Sequence, residues 1–270
     1  MRPTIFAAAL LACAVSAQAK VEAALDRVVV SGQPVELSAR FEGKHDRDVE
    51  FTIGGKRAAG RTNGFGVATL RMAAKVPPGV YPYRVSLGKK TAEARVFVLD
   101  PTRPLAIVDL DGSLSLGDSE LPFWGKRPDA VQGARRLLRA LAAEHQVVYL
   151  STRGSEDRRP TPEFLAEQGF PDGPILFDAW ALDRKTLRQN RGVYQRLKLS
   201  QLVEQGFSLR LGIGDEPSDA AAFVGVGIPS YLFTDEHVRA PSVSFISYLQ
   251  LEQRLLAEGV LRRGLAGALQ

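Results

Sequence analysis

The chain has 270 residues, of which 45% are hydrophobic and 24% are charged. This balance excludes a disordered, collagen-like or coiled-coil chain, and it supplies enough apolar residues for a sizeable core in one or two domains. The formal net charge is +5, and the basic residues are scattered rather than massed in one stripe, so we expect no nucleic-acid partner.

The amino terminus has the pattern of a signal peptide over residues 1–19. Arg2 precedes an apolar run over residues 5–15, and Ser-Ala-Gln-Ala follows it, which predicts cleavage after Ala19. The run is too short to span a bilayer, so we expect a secreted or periplasmic protein. The only cysteine, Cys13, lies inside this segment, which leaves a lipid anchor through Cys13 as the alternative and excludes disulfides from the mature chain.

Residues 20–100 are expected to form an immunoglobulin-like β-sandwich. Apolar and polar residues alternate in short runs, and turn residues separate the runs at the spacing typical of antiparallel sandwiches. Strands are predicted over residues 28–30, 35–39, 49–53, 67–72, 80–87 and 94–99. Gly-Val-Ala-Thr-Leu at residues 66–70 and Pro-Gly-Val-Tyr at residues 78–81 resemble immunoglobulin-like modules of exported bacterial proteins. No catalytic constellation is present in this region, and we interpret it as an accessory module.

A proline-containing joint at residues 100–104 leads into a region of different pattern, residues 101–270. Unbroken apolar runs at residues 105–108 and 147–150 are typical of strands that are buried on both faces. Such strands alternate with segments of helical periodicity, which predicts an α/β domain with a doubly wound parallel sheet. Helices are predicted over residues 129–144, 161–169, 192–205, 219–224 and 247–261, and further strands over residues 175–177, 209–213 and 231–233.

Polar residues follow three of these predicted strands. Asp-Leu-Asp-Gly-Ser occupies residues 109–113, Ser-Thr-Arg residues 151–153, and Gly-Asp-Glu-Pro-Ser-Asp residues 214–219. In an open α/β sheet the reactive groups gather beyond the carboxyl ends of the strands, so these side chains should meet. Aspartates gathered in this way repel one another unless a hard cation such as Mg²⁺ is bound between them. The expected metal ligands are Asp109, Asp111, Asp215 and Asp219.

The same pattern predicts phosphoryl transfer. Asp109, kept ionised by the cation, can attack phosphorus to form an aspartyl-phosphate, and Asp111 is placed to protonate the leaving oxygen and later deprotonate water. Ser151 and the backbone amides near Gly112 and Thr152 would hold phosphoryl oxygens, while a lysine neutralises charge in the transition state. The next residue, Arg153, is expected either to contact the substrate or to form a structural salt bridge.

These motifs resemble those of the haloacid dehalogenase superfamily, with residues 109–113 as the first motif, Ser151 as the second and residues 214–219 as the fourth. More narrowly, residues 104–250 resemble the lipin-type domain shared by phosphatidate phosphatases and the carboxyl-terminal part of phosphatidylinositol-transfer proteins. The resemblance implies a Mg²⁺-dependent phosphatase whose third-motif lysine is Lys198, with Lys185 as the alternative. It also implies roles for five residues: Asp109 as nucleophile, Asp111 as acid/base, Ser151 as phosphate ligand, and Asp215 and Asp219 as metal-side carboxylates.

Three functions remain open at this point. The leading hypothesis is an exported Mg²⁺-dependent phosphatase acting on a phosphomonoester, phosphatidate-like or other. The segments between the motifs are too short for a cap domain, so the site would be open, with Phe123, Trp124 and Trp180 as candidates for its mouth. The second hypothesis is a non-catalytic module that binds phosphatidate or another anionic lipid by peripheral membrane contact. The third is an adhesion or envelope-structure protein in which the sandwich is the active part.

Overall fold

The computed structural model describes residues 22–73, 76–115, 129–151, 160–177 and 190–262. The predicted signal segment with Cys13 lies outside the described residues. So do six residues singled out above: Phe123, Trp124, Thr152, Arg153, Trp180 and Lys185. Among the described helices, none is both long enough and apolar enough to cross a membrane.

The amino-terminal region is a sandwich of two sheets. One sheet has the order β1 (Glu22–Ala24), β3 (Pro34–Phe41), β6 (Val67–Ala73); the other has the order β2 (Arg27–Val30), β8 (Lys90–Leu99), β7 (Gly79–Leu87), β4 (Asp48–Ile53), β5 (Lys56–Arg61). The predicted immunoglobulin-like sandwich is therefore confirmed. The strand pairs of the sandwich are antiparallel, except that β2 runs parallel to β8. The strands β1 and β2, although consecutive in the chain, belong to different sheets.

Two strands of the sandwich, β1 and β5, were not predicted from the sequence. The Lys-Arg-Ala-Ala-Gly-Arg of β5 lacks the alternating apolar pattern on which the prediction depends. It pairs with β4 because Gly54 and Gly55 both adopt positive φ, 54° and 76°, and form the two-residue turn that such hairpins require. The glycine turn, rather than an alternating hydrophobic pattern, therefore explains why this segment forms a strand.

The second region is built on a six-stranded parallel sheet. Its strand order is β11 (Ile175–Phe177), β10 (Gln146–Ser151), β9 (Leu105–Asp109), β12 (Leu209–Gly214), β13 (Ser230–Phe233), β14 (Val243–Phe245). The described helices are α1 (Ala134–Glu144), α2 (Pro160–Glu167), α3 (Arg191–Glu204), α4 (Pro217–Gly225) and α5 (Tyr248–Ala257). Counted in chain order, the strands run 3-2-1-4-5-6, which confirms the predicted doubly wound fold.

Three details of this region differ from the prediction, and the first is that the last helix, α5, ends at Ala257 rather than at residue 261. The three-residue edge strand β14 was not predicted, since so short a segment carries little periodicity. Helix α1 begins at Ala134 rather than at residue 129. The preceding residue, Gly133, has a left-handed conformation with φ of 85°, which is incompatible with a right-handed α-helix.

The sheet is covered on both faces. Along β9, Ala106 and Val108 join one hydrophobic cluster, while Leu105 and Ile107 join the other. All four are completely buried, which explains why the strand has no polar residue before its end. The first charged side chain of β9, Asp109, appears only where the strand reaches the edge of the sheet.

The sandwich packs directly against the edge strand β11. The Asp26 carboxylate accepts hydrogen bonds from the backbone N–H of Ile175 at 3.3 Å and from that of Arg95 at 3.0 Å. The Arg95 guanidinium in turn pairs with Asp172 at 2.7 Å. Sandwich residues also enter the hydrophobic clusters of the α/β region: Leu25 and Val28. The sandwich thereby covers an edge that would otherwise expose unpaired backbone groups.

Candidate active site

The predicted motifs meet where the strand order reverses, between β9 and β12. In doubly wound sheets a crevice forms at this point, outside the carboxyl ends of the strands. Asp109 is the last residue of β9, and Asp215 immediately follows β12. The neighbouring strand β10 ends at Ser151, so its hydroxyl belongs to the same edge of the sheet.

Three carboxylates form a compact cluster at this edge of the sheet. Asp109, Asp215 and Asp219 each offer one oxygen, and these oxygens all lie within 4.8 Å of one another. Asp109 and Asp219 are completely buried, whereas Asp215 is half-buried. The Oδ2 atom of Asp109 is buried and has no hydrogen-bond partner within the described part of the chain. Buried carboxylate oxygens at this spacing are the ligand set that a hard divalent cation prefers.

Asp111 lies beside Ser151 rather than within this trio. The Ser151 hydroxyl donates a hydrogen bond to Oδ2 of Asp111 at 3.3 Å, and both residues are buried. The predicted acid/base and the predicted phosphate ligand are therefore neighbours. The assignment of Asp111 as a metal ligand stays a prediction.

The start of α4 fixes the position of Asp219. Its Oδ2 accepts hydrogen bonds from the backbone N–H groups of Asp215 at 3.0 Å and Glu216 at 2.9 Å. Donors at a helix amino terminus stabilise a carboxylate through their own partial charges. Gly214 has no room for a side chain here, because a β-carbon would lie 2.5 Å from Cβ of Asp219. The Gly-Asp-Glu-Pro-Ser-Asp motif thus forms one rigid turn that presents two carboxylates.

The loop after β9 supports Asp215 from the opposite side. The Ser113 hydroxyl donates to Oδ1 of Asp215 at 3.3 Å, and the backbone carbonyl of Ser113 accepts a hydrogen bond from the completely buried Tyr248 hydroxyl at 2.7 Å. Helix α5, far along the chain, therefore anchors the loop that contains the first motif.

Burial gives the trio unusual protonation behaviour. It raises the pKa of Asp109 well above its usual range, the Asp219 charge adds to this effect, and Arg191 opposes it. Burial also raises the pKa of Asp219. It raises the pKa of Asp215 to about 7, with a further contribution from the Asp219 charge. Additional positive charge is therefore needed to keep all three carboxylates ionised at neutral pH.

Among the described residues, the positively charged side chain beside the three aspartates is that of Arg191, which the sequence analysis missed. It is the first residue of α3, its side chain is only 9% exposed, and it pairs with Glu216 at 2.5 Å. Burial lowers its pKa, but the Asp109 charge and the hydrogen bond with Glu216 outweigh burial, and the net direction is upward. The signal that could have identified it is charge balance, since clustered buried carboxylates require a cation.

Lys198, the predicted third-motif residue, lies half-buried on the same helix. It follows Arg191 by two turns, which places its backbone about 10 Å further along the helix axis. Its catalytic role stays a prediction. A second residue that the sequence analysis missed is Gln195, which is buried on α3 and donates to Asp219.

No family model and no curated protein matches this sequence. Among solved structures, the chain is similar to a D,D-heptose 1,7-bisphosphate phosphatase from B. bronchiseptica complexed with magnesium and phosphate, with 15% identity and a TM-score of 0.46 over 57% of this chain and 99% of that one. It is also similar to a HAD-like phosphatase from Mesorhizobium loti, with 18% identity and a TM-score of 0.46 over 69% and 97% of the two chains. The M1 domain from titin matches 30% of this chain and 94% of its own length, with 17% identity and a TM-score of 0.23. These similarities concern the path of the backbone, whereas the chemistry of the site depends on its side chains.

The strand order and the placement of the aspartates define the class of fold. The α/β region has a doubly wound parallel sheet with acidic motifs after its first and fourth strands, the arrangement that the resemblance to the haloacid dehalogenase superfamily predicts, and an immunoglobulin-like sandwich precedes it. Its aspartate trio is able to bind a divalent cation such as Mg²⁺.

Proposed function

We propose that this protein is a Mg²⁺-dependent phosphatase that hydrolyses a phosphomonoester through an aspartyl-phosphate on Asp109. One observation carries the proposal. At the switch point of the sheet, the buried carboxylate of Asp109, whose Oδ2 has no hydrogen-bond partner among the described residues, belongs to a metal-competent trio. It lies two residues before Asp111, which forms a buried pair with Ser151. A structural cluster would instead be expected to have every buried oxygen paired.

The donor set fits Mg²⁺. The trio supplies only carboxylate oxygens, and burial, with the charge of Asp219 in addition, raises the pKa values of Asp109 and Asp215. When bound, the cation would keep these carboxylates ionised and offset the charge of the phosphate ester. The proposed ligands are the members of the trio, with Asp111 as the further candidate.

The chain's own residues then perform two displacements. One Asp109 oxygen attacks phosphorus, the bond from phosphorus to the leaving oxygen breaks, and the leaving oxygen takes a proton from Asp111. Asp111, now a carboxylate, accepts a proton from water, and the resulting hydroxide oxygen attacks phosphorus. The bond between phosphorus and the Asp109 oxygen breaks in this second step, which releases inorganic phosphate and restores the Asp109 carboxylate.

The remaining residues are proposed to bind and orient the phosphoryl group. The Ser151 hydroxyl and the backbone amides of Gly112 and Thr152 would hold its oxygens. Arg191 adds positive charge beside the trio, and we propose it as the main cation of the site, with Lys198 retained as a candidate. Arg153 is retained as a candidate for contact with the substrate.

For the substrate we propose a phosphatidate-like ester, and for the location we propose export. The support for the substrate is the resemblance of residues 104–250 to lipin-type domains, and the support for export is the signal-like pattern of residues 1–19. A fusion of residues 1–19 to a reporter enzyme that is active only outside the cytoplasm tests export, and an inactive reporter would contradict it.

Phosphate release tests the activity. Short-chain phosphatidate and an aryl phosphate are incubated with the protein in Mg²⁺ and in chelator, and binding to anionic vesicles is measured in parallel. The proposal predicts release from at least one ester in Mg²⁺ and none in chelator. Vesicle binding without phosphate release would contradict a phosphatase and indicate a lipid-binding module on the same fold. Faster phosphate release from the aryl phosphate than from phosphatidate would exclude a lipid-selective enzyme.

A further inference from the structure

Gln195 contacts two members of the carboxylate trio at once. It lies on α3 one turn after Arg191, and only 3% of it is exposed. Its Nε2 is 2.5 Å from Oδ1 of Asp219 and 3.4 Å from Oδ1 of Asp109. A primary amide carries two hydrogens on this nitrogen, so one group can donate to both carboxylates.

Stability alone does not account for a glutamine at this position. Its Oε1 is buried and has no hydrogen-bond partner among the described residues. A buried amide oxygen without a partner opposes folding, whereas an apolar side chain of similar volume would carry no such penalty. The neighbouring buried positions on this face of α3, Leu199 and Leu202, are apolar.

The contact also makes the two oxygens of Asp109 different. Oδ1 accepts the hydrogen bond from Gln195, while Oδ2 has no partner among the described residues. A neutral amide can hold Oδ1 without adding a charge that would compete with a divalent cation, as a lysine would, or repel the carboxylates, as a glutamate would. The hydrogen bond thus fixes Oδ1, and Oδ2 is available to bind a cation or to react.

We propose that Gln195 is a positioning residue of the metal site: its amide bridges Asp109 and Asp219, holds them at metal-binding distance, and leaves Oδ2 of Asp109 free to bind or react. The inference rests on the proposed function, because it assumes that the trio binds a divalent cation. Donors that orient metal-binding carboxylates in this way commonly alter metal affinity by about 10- to 100-fold. A residue that only filled the core would change stability and leave metal affinity unaltered.

The test compares Gln195→Met with Gln201→Met in the full-length chain. Methionine keeps the length and volume of the side chain but removes the donor, and Gln201 is an exposed residue of the same helix. Titration calorimetry with Mg²⁺ and with Mn²⁺ gives the affinities, and thermal unfolding in chelator gives the stability without metal. Gln195→Met should weaken binding of both ions at least about tenfold, with an unfolding temperature equal to or above that of the wild type. Gln201→Met should change neither quantity.

The outcomes separate this inference from the proposed function. If the wild-type chain binds neither ion, the proposed function fails and the inference falls with it. If the wild type binds and Gln195→Met binds equally well, only the inference is overturned. Should Gln195→Met fail to fold, Gln195→Asn serves instead, because it keeps the amide but withdraws it by one methylene. The same tenfold loss is expected, and wild-type affinity would overturn the inference.

Discussion

Gly112 and Asp215, which follow different strands of the sheet, approach so closely that a β-carbon at residue 112 would lie 2.5 Å from Cγ of Asp215 and closer still to its Oδ2. Gly112 also has a φ of 78°, which side chains rarely adopt. The first motif therefore contains glycine for two reasons: the loop must turn, and it must leave room for a carboxylate from the other side of the switch point.

Gly112→Ala should displace Asp215 and weaken Mg²⁺ binding by at least about tenfold, since the trio depends on the position of this carboxylate. Gly227→Ala is the matched control, because Gly227 has the same φ of 78° but nothing within 4 Å of an added β-carbon. The control should lose about 1–2 kcal/mol of stability from backbone strain while its metal affinity is unchanged. Equal effects of the two variants on calorimetric Mg²⁺ affinity would contradict this account of Gly112.

Replacing Arg191 should destabilise the metal-free protein strongly. Its side chain is 9% exposed and is the described cation beside the trio, so Arg191→Met leaves buried carboxylates without compensation. The expected loss is about 3–5 kcal/mol in the free energy of unfolding, measured by urea titration in chelator. The exposed Arg196 of the same helix provides the control, and Arg196→Met should change the value by less than about 0.5 kcal/mol. Similar losses of stability in the two variants would show that Arg191 does not compensate the charge of the buried aspartates.

The pH dependence of stability should report the state of Asp215. Burial, with the Asp219 charge in addition, raises the pKa of Asp215 from its usual 3.8 to about 7 in the folded protein. The folded state therefore binds more protons between these values, and the free energy of unfolding in chelator should fall as pH rises from about 4 to about 7. Asp109 and Asp219 act in the same direction.

Urea titrations across this pH range, with wild type and Asp215→Asn, measure the effect. Asparagine does not titrate, so the variant should lose less stability as pH rises. Mg²⁺ should stabilise the wild type more at pH 8 than at pH 5, because it binds the ionised carboxylates. Identical pH slopes for the two proteins would show that Asp215 is already ionised in the metal-free fold.

The contact between the sandwich and the parallel sheet should contribute to stability through Asp26. Burial raises the pKa of this carboxyl group, while Arg95 and the backbone N–H of Ile175 oppose the increase. Asp26→Ala leaves the partly buried N–H groups of Arg95 and Ile175 without their acceptor, and we expect a loss of about 1–3 kcal/mol by urea titration. Asp48→Ala removes an exposed carboxylate of the same sandwich, 90% accessible, and should cost less than about 0.5 kcal/mol. A negligible effect of Asp26→Ala would mean that Asp26 does not contribute to holding the two regions together.

Much of the site could be predicted because its residues follow strands whose burial is visible in the sequence. Asp109 and Ser151 each end an apolar run, and Asp215 follows a segment predicted as a strand, so their convergence needs only the rule for parallel sheets. Asp219 is fixed by the short turn from which α4 begins, and that turn is contained within one motif. Local sequence and topology were sufficient for these four residues.

Arg191 and Gln195 could not be found in the same way. They are polar residues at buried positions of α3, while the apolar Val193 and Leu197 of the same helix are exposed, so hydrophobic periodicity does not signal them. Polar residues are buried here because they meet carboxylates from other strands, which is a property of the assembled site. The sequence analysis assigned the cation from the family resemblance alone, to Lys198 with Lys185 as the alternative. The contact of Asp26 with β11 is likewise a long-range feature that no local pattern signals.

The most direct test of the central claim is the rate of phosphate release by Asp109→Asn in Mg²⁺, beside the wild type and Asp235→Asn, a change at an exposed aspartate of the same region. Asparagine preserves the shape of the nucleophile but cannot form the aspartyl-phosphate, so kcat should fall by about 10⁴-fold or more while Asp235→Asn matches the wild type. A folded Asp109→Asn protein that releases phosphate within about tenfold of the wild-type rate would contradict the assignment of Asp109 as the nucleophile and the mechanism derived from it.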